Sequence, residues 1–222
     1  MNSALIQLLV LAGIAVFLIL RLKNVLGTRS GFEKPSSIQL PSPDRVGRTR
    51  HDFEVIEGGG DSDITDYVED GSASAKALGA MKMAEPGFNV GEFVEGAKGA
   101  HEMILMEFEK GNMEAIRPFL SEDVSEAFDE VVNARLDRGL SIEASFIGLR
   151  DLSIESVTFD RTSRVAEVTV KFISELTSVV KDAEGAVVEG SPDEIKRQKD
   201  IWTFSRVMGS DNPNWQLVAT EH

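Results

Sequence analysis

The sequence contains no cysteine. Disulfides, thiolate catalysis and sulfur-ligated zinc or iron–sulfur centres are therefore excluded. Histidine is nearly as scarce, with only His51, His101 and His222, so a histidine-rich metal site is not expected. There is one tyrosine, Tyr67, and there are two tryptophans, Trp202 and Trp215. Positive charge is also in short supply: 23 Lys+Arg face 37 Asp+Glu, a formal net charge of −14. A protein held on nucleic acid by phosphate neutralisation needs a basic face, so no nucleic-acid partner is expected. What the chain does have is 42% hydrophobic residues over 222 positions, enough for a real core, and these are unevenly spread.

The longest apolar run, Ala4 to Leu20 (ALIQLLVLAGIAVFLIL), carries no charge. As a helix it is roughly 26 Å long, just short of a hydrocarbon core of about 30 Å. Leu22, Val25 and Leu26, with snorkelling by Arg21 and Lys23, supply the remaining turn. A cleaved signal peptide would need a basic stretch before the run; here the bases follow it directly. Residues 1–26 are therefore expected to form a transmembrane anchor with its basic flank. From Arg21 to Arg50, seven bases meet two acids, which places the N-terminus outside and the rest of the chain on the cytoplasmic side. The same collar, with Arg21, Lys23, Arg29 and Lys34 foremost, suits anionic headgroups such as cardiolipin at about 1 kcal/mol per residue near the surface.

Residues 27–85 lack periodicity. Pro35, Pro41, Pro43, the run Gly58-Gly59-Gly60 and the acid-rich stretch from Asp61 to Asp70 predict a disordered linker, because too little apolar surface is available to offset ordering entropy. Within it, Phe53-Glu54-Val55-Ile56 reads as spacer or short docking motif, and Ala73 to Met83 as a short helix lying on a partner or the membrane. Tyr67 falls in this linker and so is expected to serve no pocket in the folded part.

Residues 86–222 hold fourteen bases and twenty-six acids, so the acidity belongs to the folded part and not to the membrane-proximal end. There, Val90, Phe93, Val94, Ala97, His101, Ile104, Leu105 and Phe108 recur at three- and four-residue steps and predict one long amphipathic helix, ended by Gly111-Asn112. A short helix carries Met113, Ile116, Phe119 and Leu120. Ser121 caps a third, with Val124, Ala127, Phe128, Val131, Val132 and Leu136 inward and Gly139 at its close. After Gly139 the period becomes two. Ile142–Leu149, Leu152–Phe159, Val165–Ile173, Asp200–Val207 and Trp215–Thr220 read as strands, with hairpin loops at Asp160–Arg164 and Asp182–Gly185. Helices followed by antiparallel strands predict an α+β fold: N-terminal helices packed on a curved antiparallel sheet of about four strands.

No enzyme signature emerges. Glu143, Glu155, Glu167 and Glu175 alternate on strands as a solvated face does. His101 lies on the apolar helix face with no serine or carboxylate tied to it by spacing, which favours a hydrogen-bonded core histidine over a catalytic base. Gly91, Gly96 and Gly99 follow no strand and precede no Gly-Lys-Ser/Thr, so they are read as permitting close helix packing rather than phosphate binding. The tryptophans are core aromatics or cavity walls. We expect no catalysis, no cofactor and no metal.

Several segments carry a resemblance. Phe93-Val94-Glu95-Gly96-Ala97-Lys98-Gly99-Ala100 with Glu107-Phe108-Glu109-Lys110-Gly111-Asn112, and then Val187-Val188-Glu189-Gly190, Asp200-Ile201-Trp202-Thr203-Phe204-Ser205-Arg206 and Asp211-Asn212-Pro213-Asn214-Trp215-Gln216-Leu217-Val218-Ala219-Thr220, resemble the Tim-type (Tim forty-four-like) domain over about Phe88 to Glu221. With the N-terminal anchor the chain looks most like the bacterial, TimA-like form. The resemblance implies a cone-shaped fold related to nuclear-transport-factor-two-like proteins, with a hydrophobic cavity; Phe108, Phe128, Phe172, Trp202 and Trp215 are the candidates to line it. It also implies affinity for cardiolipin and an adaptor role near a translocon, with protein partners such as a translocon, a chaperone or a membrane-protein client. Membrane contact by the early helices, carried over, points to Phe88, Phe93 and Met103, whose spacing equally suits packing on the sheet. The expected function is a membrane-anchored, non-catalytic adaptor in protein translocation or membrane-protein assembly. The alternatives are a lipid or small-molecule carrier using the cavity, and a small isomerase or hydrolase of the same cupped fold.

Deleting residues 1–26 should move the protein from the membrane pellet to the soluble fraction on cell fractionation; full retention on membranes in high salt would refute the anchor.

Overall fold

A computed structural model describes residues 61–221. The expected span at 4–20, the collar residues Arg21, Lys23, Arg29 and Lys34, the segment Phe53–Ile56, and His51 and His222 lie outside the described residues. Among the described residues, no helix is long and apolar enough to cross a membrane.

Among the described residues the order is five helices and then four strands: α1 (Ser62–Thr65), α2 (Ala73–Ala84), α3 (Val90–Lys110), α4 (Met113–Ile116), a 3-10 turn (Arg117–Phe119), α5 (Glu122–Asp137), β1 (Ser141–Phe159), β2 (Val165–Lys181), β3 (Val187–Val207) and β4 (Gln216–Glu221). The strands form one antiparallel meander in the order β1-β2-β3-β4, as the helices-then-sheet reading expected. Along β2, Ala166, Val168, Val170, Phe172, Ser174 and Leu176 are buried, and each alternate residue is more exposed. That is the period-two pattern of a sheet covered on one face. The other face carries ion pairs, Lys171 with Glu155, Lys181 with Glu143, and Glu175 with both Arg150 and Arg197, which accounts for three of the alternating glutamates.

Helix α3 begins where the Asn89 side chain accepts the Glu92 amide at 2.8 Å, and it ends at Gly111 in the left-handed conformation (φ 76°). Val90, Phe93, Val94, Ala97, His101, Ile104 and Leu105 are buried as the spacing predicted, whereas Phe108 is only half-buried and Met106 is buried in addition. In α5, Ser121 caps the first turn as expected, through the Val124 amide. Val131 and Leu136, however, are exposed rather than inward, and Ser125 takes a buried position where Arg117 donates to its hydroxyl at 2.7 Å. The helix touches the fold through Val124, Ser125 and Val132, and the apolar count along it overstated its contact.

Three further expectations are corrected. Strand β1 is continuous from Ser141 to Phe159, with register shifts at Phe146/Gly148, Leu149/Asp151 and Ile154/Ser156 absorbing what the sequence shows as a break. Strand β3 starts at Val187 and contains extra residues, since Leu176 and Ser178 of β2 pair with Lys196 and Ser191. Gly190 sits in it at φ 79°, where any Cβ would run into the Ser178 carbonyl oxygen. Gly96 and Gly99 of α3 do not permit close packing, because a Cβ on either would meet nothing within 4 Å.

The largest correction concerns residues 61–85, expected as part of the disordered linker. Ile64, Leu78 and Met81 are core residues, and Tyr67 brings its hydroxyl beside Gly91. The acids of this stretch are what order it. Asp63 accepts the amides of Val90 and Gly91 at 2.9 and 3.1 Å, so a carboxylate from α1 caps the N-terminus of α3, and Lys82 joins it at 2.7 Å. Ser72 caps α2 through the Ala75 amide, and the Ser74 hydroxyl accepts the Val157 amide of β1 at 3.1 Å. At the other end of α2, Arg164 (φ 60°, in the β1–β2 loop) donates to the Ala84 carbonyl at 2.7 Å.

Partial burial pushes the Asp63 carboxyl up, but Lys82 and the two amides outweigh it and hold the group below its ordinary value. A carboxyl with a depressed folded value stabilises the fold above its unfolded pKa of about 3.9, and loses that contribution as pH falls through the folded value. Asp63→Ala should therefore lower stability by about 1–2 kcal/mol at neutral pH. Thermal denaturation should show the gap to the parent closing below pH 4.

Candidate functional site

The α2–α3 junction, the first half of α3 and the β3–β4 loop enclose a groove of about 360 Å³. Its walls follow from strand and helix period. Phe93, Ala97, Ala100 and Ile104 come from one stripe of α3, Phe204 and Arg206 from the inward face of β3, and Trp215 from the approach to β4. Trp215 is the keystone. Its ring lies 4.8 Å from Phe93 (62° between planes) and 6.2 Å from Phe88, and the Arg206 guanidinium sits over it at 5.3 Å. Gly96 lines the same wall and leaves it open.

One polar network frames the opening. Arg206 donates to Glu85 at 2.6 Å and to the Pro213 carbonyl at 3.1 Å, while the other Glu85 oxygen accepts the Gly209 amide at 2.6 Å. Burial pushes the Glu85 carboxyl up, but the Gly209 amide and Arg206, with Arg164 more remote, hold it below the usual carboxylate range. Glu92 stands exposed at the rim.

Behind the groove is a second feature. His101 and Asp200 are both fully buried, with Nε2 2.9 Å from Oδ2. The imidazole stacks on Phe172 (4.3 Å, 13°) with Trp202 at 4.6 Å, and the Gln198 amide donates to both Asp200 oxygens at 2.9 and 3.1 Å. Burial, helped by the Asp200 charge, pushes the nearby Glu109 carboxyl up, against the pull of Arg135. A His–carboxylate pair is a common acid–base device, but here neither member is exposed and neither lines the groove. What it does is tie the middle of α3 to β3. The expectation of a hydrogen-bonded core histidine is met, and its partner is a carboxylate that no local spacing ties to it, 99 positions along the chain. The signal was present in the alternation Asp200, Trp202, Phe204, which puts an acid on the inward face of an apolar strand.

The structure thus divides the residues singled out from the sequence. Phe88 and Phe93, proposed for membrane contact, and Trp215, proposed as a cavity residue, meet in one groove, and both phenylalanines are buried. Phe172 and Trp202 pack around His101 instead. Phe108 and Phe128 pair with each other at 4.4 Å, with Arg135 over Phe108 at 4.6 Å, outside the groove. Met103 is half-buried. Glu85 and Arg206 were not anticipated, and Gly96 was read only as a packing glycine; Glu85 was hidden by its place in a stretch read as linker. Among the described residues no cluster of side chains could hold a metal ion.

The Tim44-like domain family matches residues 74–222, well over half of the chain. The chain belongs to that family. It is a family of membrane-associated protein translocation. The Tim44-like match starts within α2, in agreement with the packing of that helix on the rest of the fold. No curated protein matches the chain. Among solved structures, the intermembrane space region of the chloroplast protein ARC6 is similar at 14% identity and a TM-score of 0.39, covering 57% of this chain and 93% of its own. A ketosteroid isomerase-like protein from Erwinia carotovora atroseptica is similar at 11% identity and a TM-score of 0.33, covering 54% and 85%.

Asp200→Ala should cost about 3 kcal/mol or more, since it leaves the imidazole and the Gln198 amide without their buried acceptor. Urea denaturation followed by tryptophan fluorescence measures this; a loss under about 1 kcal/mol would mean that the pair contributes little.

Proposed function

We propose that this protein is a membrane-anchored, non-catalytic adaptor of protein translocation or membrane-protein assembly, whose Tim44-like domain receives a protein partner in the Phe88–Phe93–Trp215 groove. The observation that carries the reading is the groove itself: aromatic anchors in a concave, half-open site are what a partner's apolar side chains need. Partners of the expected kind are a translocon subunit, a chaperone or a membrane-protein client. In this reading the anchor within residues 1–26 holds the protein in a bacterial inner membrane, with the N-terminus outside and the domain in the cytoplasm. The collar of Arg21, Lys23, Arg29 and Lys34 engages anionic lipid such as cardiolipin.

The carrier reading uses the same groove, whose volume is at the lower end of the range for small-molecule sites. The isomerase or hydrolase reading rests on His101–Asp200, and the complete burial of both residues weighs against it.

Gly96→Leu separates the adaptor from its alternatives without damaging the fold. A Cβ there meets nothing within 4 Å, and leucine is favoured over glycine in a helix by about 0.8 kcal/mol. The variant should be as stable as the parent with its groove filled. A photocrosslinking residue in place of the exposed Asn214 should capture a protein partner in cells, and Gly96→Leu should abolish that adduct. An adduct that Gly96→Leu leaves unchanged would place the partner elsewhere.

A further inference from the structure

We propose that β3 carries a self-association site: two copies of this chain meet through the segment Pro192–Arg197, antiparallel about a twofold axis at Ile195. The inference is independent of the groove, which no residue of this segment lines.

Strand β3 runs from Val187 to Val207, but β4 pairs with it only from Ile201 to Ser205. Among the described residues, the edge of β3 before Ile201 therefore has no neighbouring strand, and a bare edge is a template for another chain. Midway along it, Leu176 pairs with Lys196 and Ser178 with Ser191, so Pro192, Asp193, Glu194 and Ile195 form a bulge opposite Thr177. Asp193, Glu194, Ile195 and Arg197 are exposed, Ile195 by 57%, and Lys196 is half-buried. Elsewhere on the sheet, charged side chains find partners within the chain. Among the described residues, no ion pair engages Asp193, Glu194 or Lys196. Arg197 stands 3.4 Å from a Glu175 carboxylate that Arg150 holds more closely, at 2.9 Å.

The order of these side chains selects the occupant. Asp193-Glu194-Ile195-Lys196-Arg197 is two acids, an isoleucine and two bases, a block whose charge inverts about its centre. Beside an antiparallel second copy centred on Ile195, the two isoleucines meet, Glu194 comes opposite Lys196, and Asp193 comes opposite Arg197. Opposite charges directly across a strand pair stabilise it, and like charges destabilise it. A parallel pair would set Glu194 against Glu194 and Lys196 against Lys196. An axis moved to Lys196 would face that lysine with itself and Ile195 with Arg197. One orientation and one register therefore pair every charge of the block, which is the self-complementarity a twofold contact requires. Because β4 occupies the edge from Ile201, the contact is confined to Ser191–Lys199. Pro192 has no amide to donate, and the bulge interrupts the ladder, so the edge does not invite open-ended strand addition. So short a contact is a weak one, and the two copies should part on dilution.

The chain has no cysteine, so a single introduced one reports its own neighbour without background. The full chain bearing Ile195→Cys, oxidised in living cells with copper phenanthroline, should run as a disulfide-linked dimer on a non-reducing gel. Glu95→Cys, exposed on α3, should give at least about fivefold less dimer, because a disulfide forms only where two Cα atoms come close. In the Ile195→Cys chain, Lys196→Glu should cut the dimer severalfold by facing Glu194 with a second acid. Adding Glu194→Lys should restore it, since the exchanged block is again complementary to its own copy. Equal dimer from the two cysteines overturns the inference, and that comparison stands even if the Lys196 exchange disturbs folding. A stable, exchanged block that recovers no dimer also overturns it. An adduct of any mass other than twice that of the chain would assign the edge to a different protein and overturn self-association.

Discussion

A single hydrogen bond between two side chains with no solvent contact, His101 Nε2 to Asp200 Oδ2 at 2.9 Å, fixes how the longest helix lies on the sheet. An apolar stripe tolerates small rotations of a helix, because one aliphatic contact replaces another at little cost. A buried imidazole facing a buried carboxylate does not, since any rotation leaves both groups without partners. With His101 directed at β3, the position of every other residue of α3 follows from 3.6 residues per turn. Ala97 and Ile104 are brought under the groove, Phe93 is brought to Trp215, and Gly96 is left facing open space.

The same helix is held at its start by a different means. Asp63, distant in sequence, supplies the carboxylate that its first two amides need. The helix is thus positioned at two points by acidic side chains, one buried in β3 and one partly buried in α1. In a chain with this excess of carboxylates, some of that acidity is structural and only part of it faces solvent.

The sequence made α3 and the sheet legible because each has a strong period: three- and four-residue steps to Leu105, and alternation along β2 and late β3. It made the order of residues 61–85 illegible for an equally physical reason. Aspartates and serines in a stretch with little apolar surface look like solvated spacer. Whether they cap something depends on where the N-terminus of α3 and the edge of β1 come to lie, and that is a property of the whole fold. The groove was half visible. Phe88, Phe93 and Trp215 could each be picked out as aromatics, but their meeting point requires the β3–β4 loop to fold back over the start of α3. The Arg206–Glu85 contact that secures this loop joins residues more than a hundred positions apart.

The hydroxyl of Ser74 on the Val157 amide has a bearing on how the protein stays dispersed. Strand β1 is one of the two outer strands of the sheet, and outer strands invite pairing with other chains. Helix α2 meets one of that strand's free amides with its own oxygen and buries Leu78 and Met81 alongside. A fragment beginning at Pro86, which composition alone would recommend, would strip this cover and present a sheet margin next to an uncovered apolar surface. Solubility of the domain is therefore encoded partly in the segment that looks most like a tether.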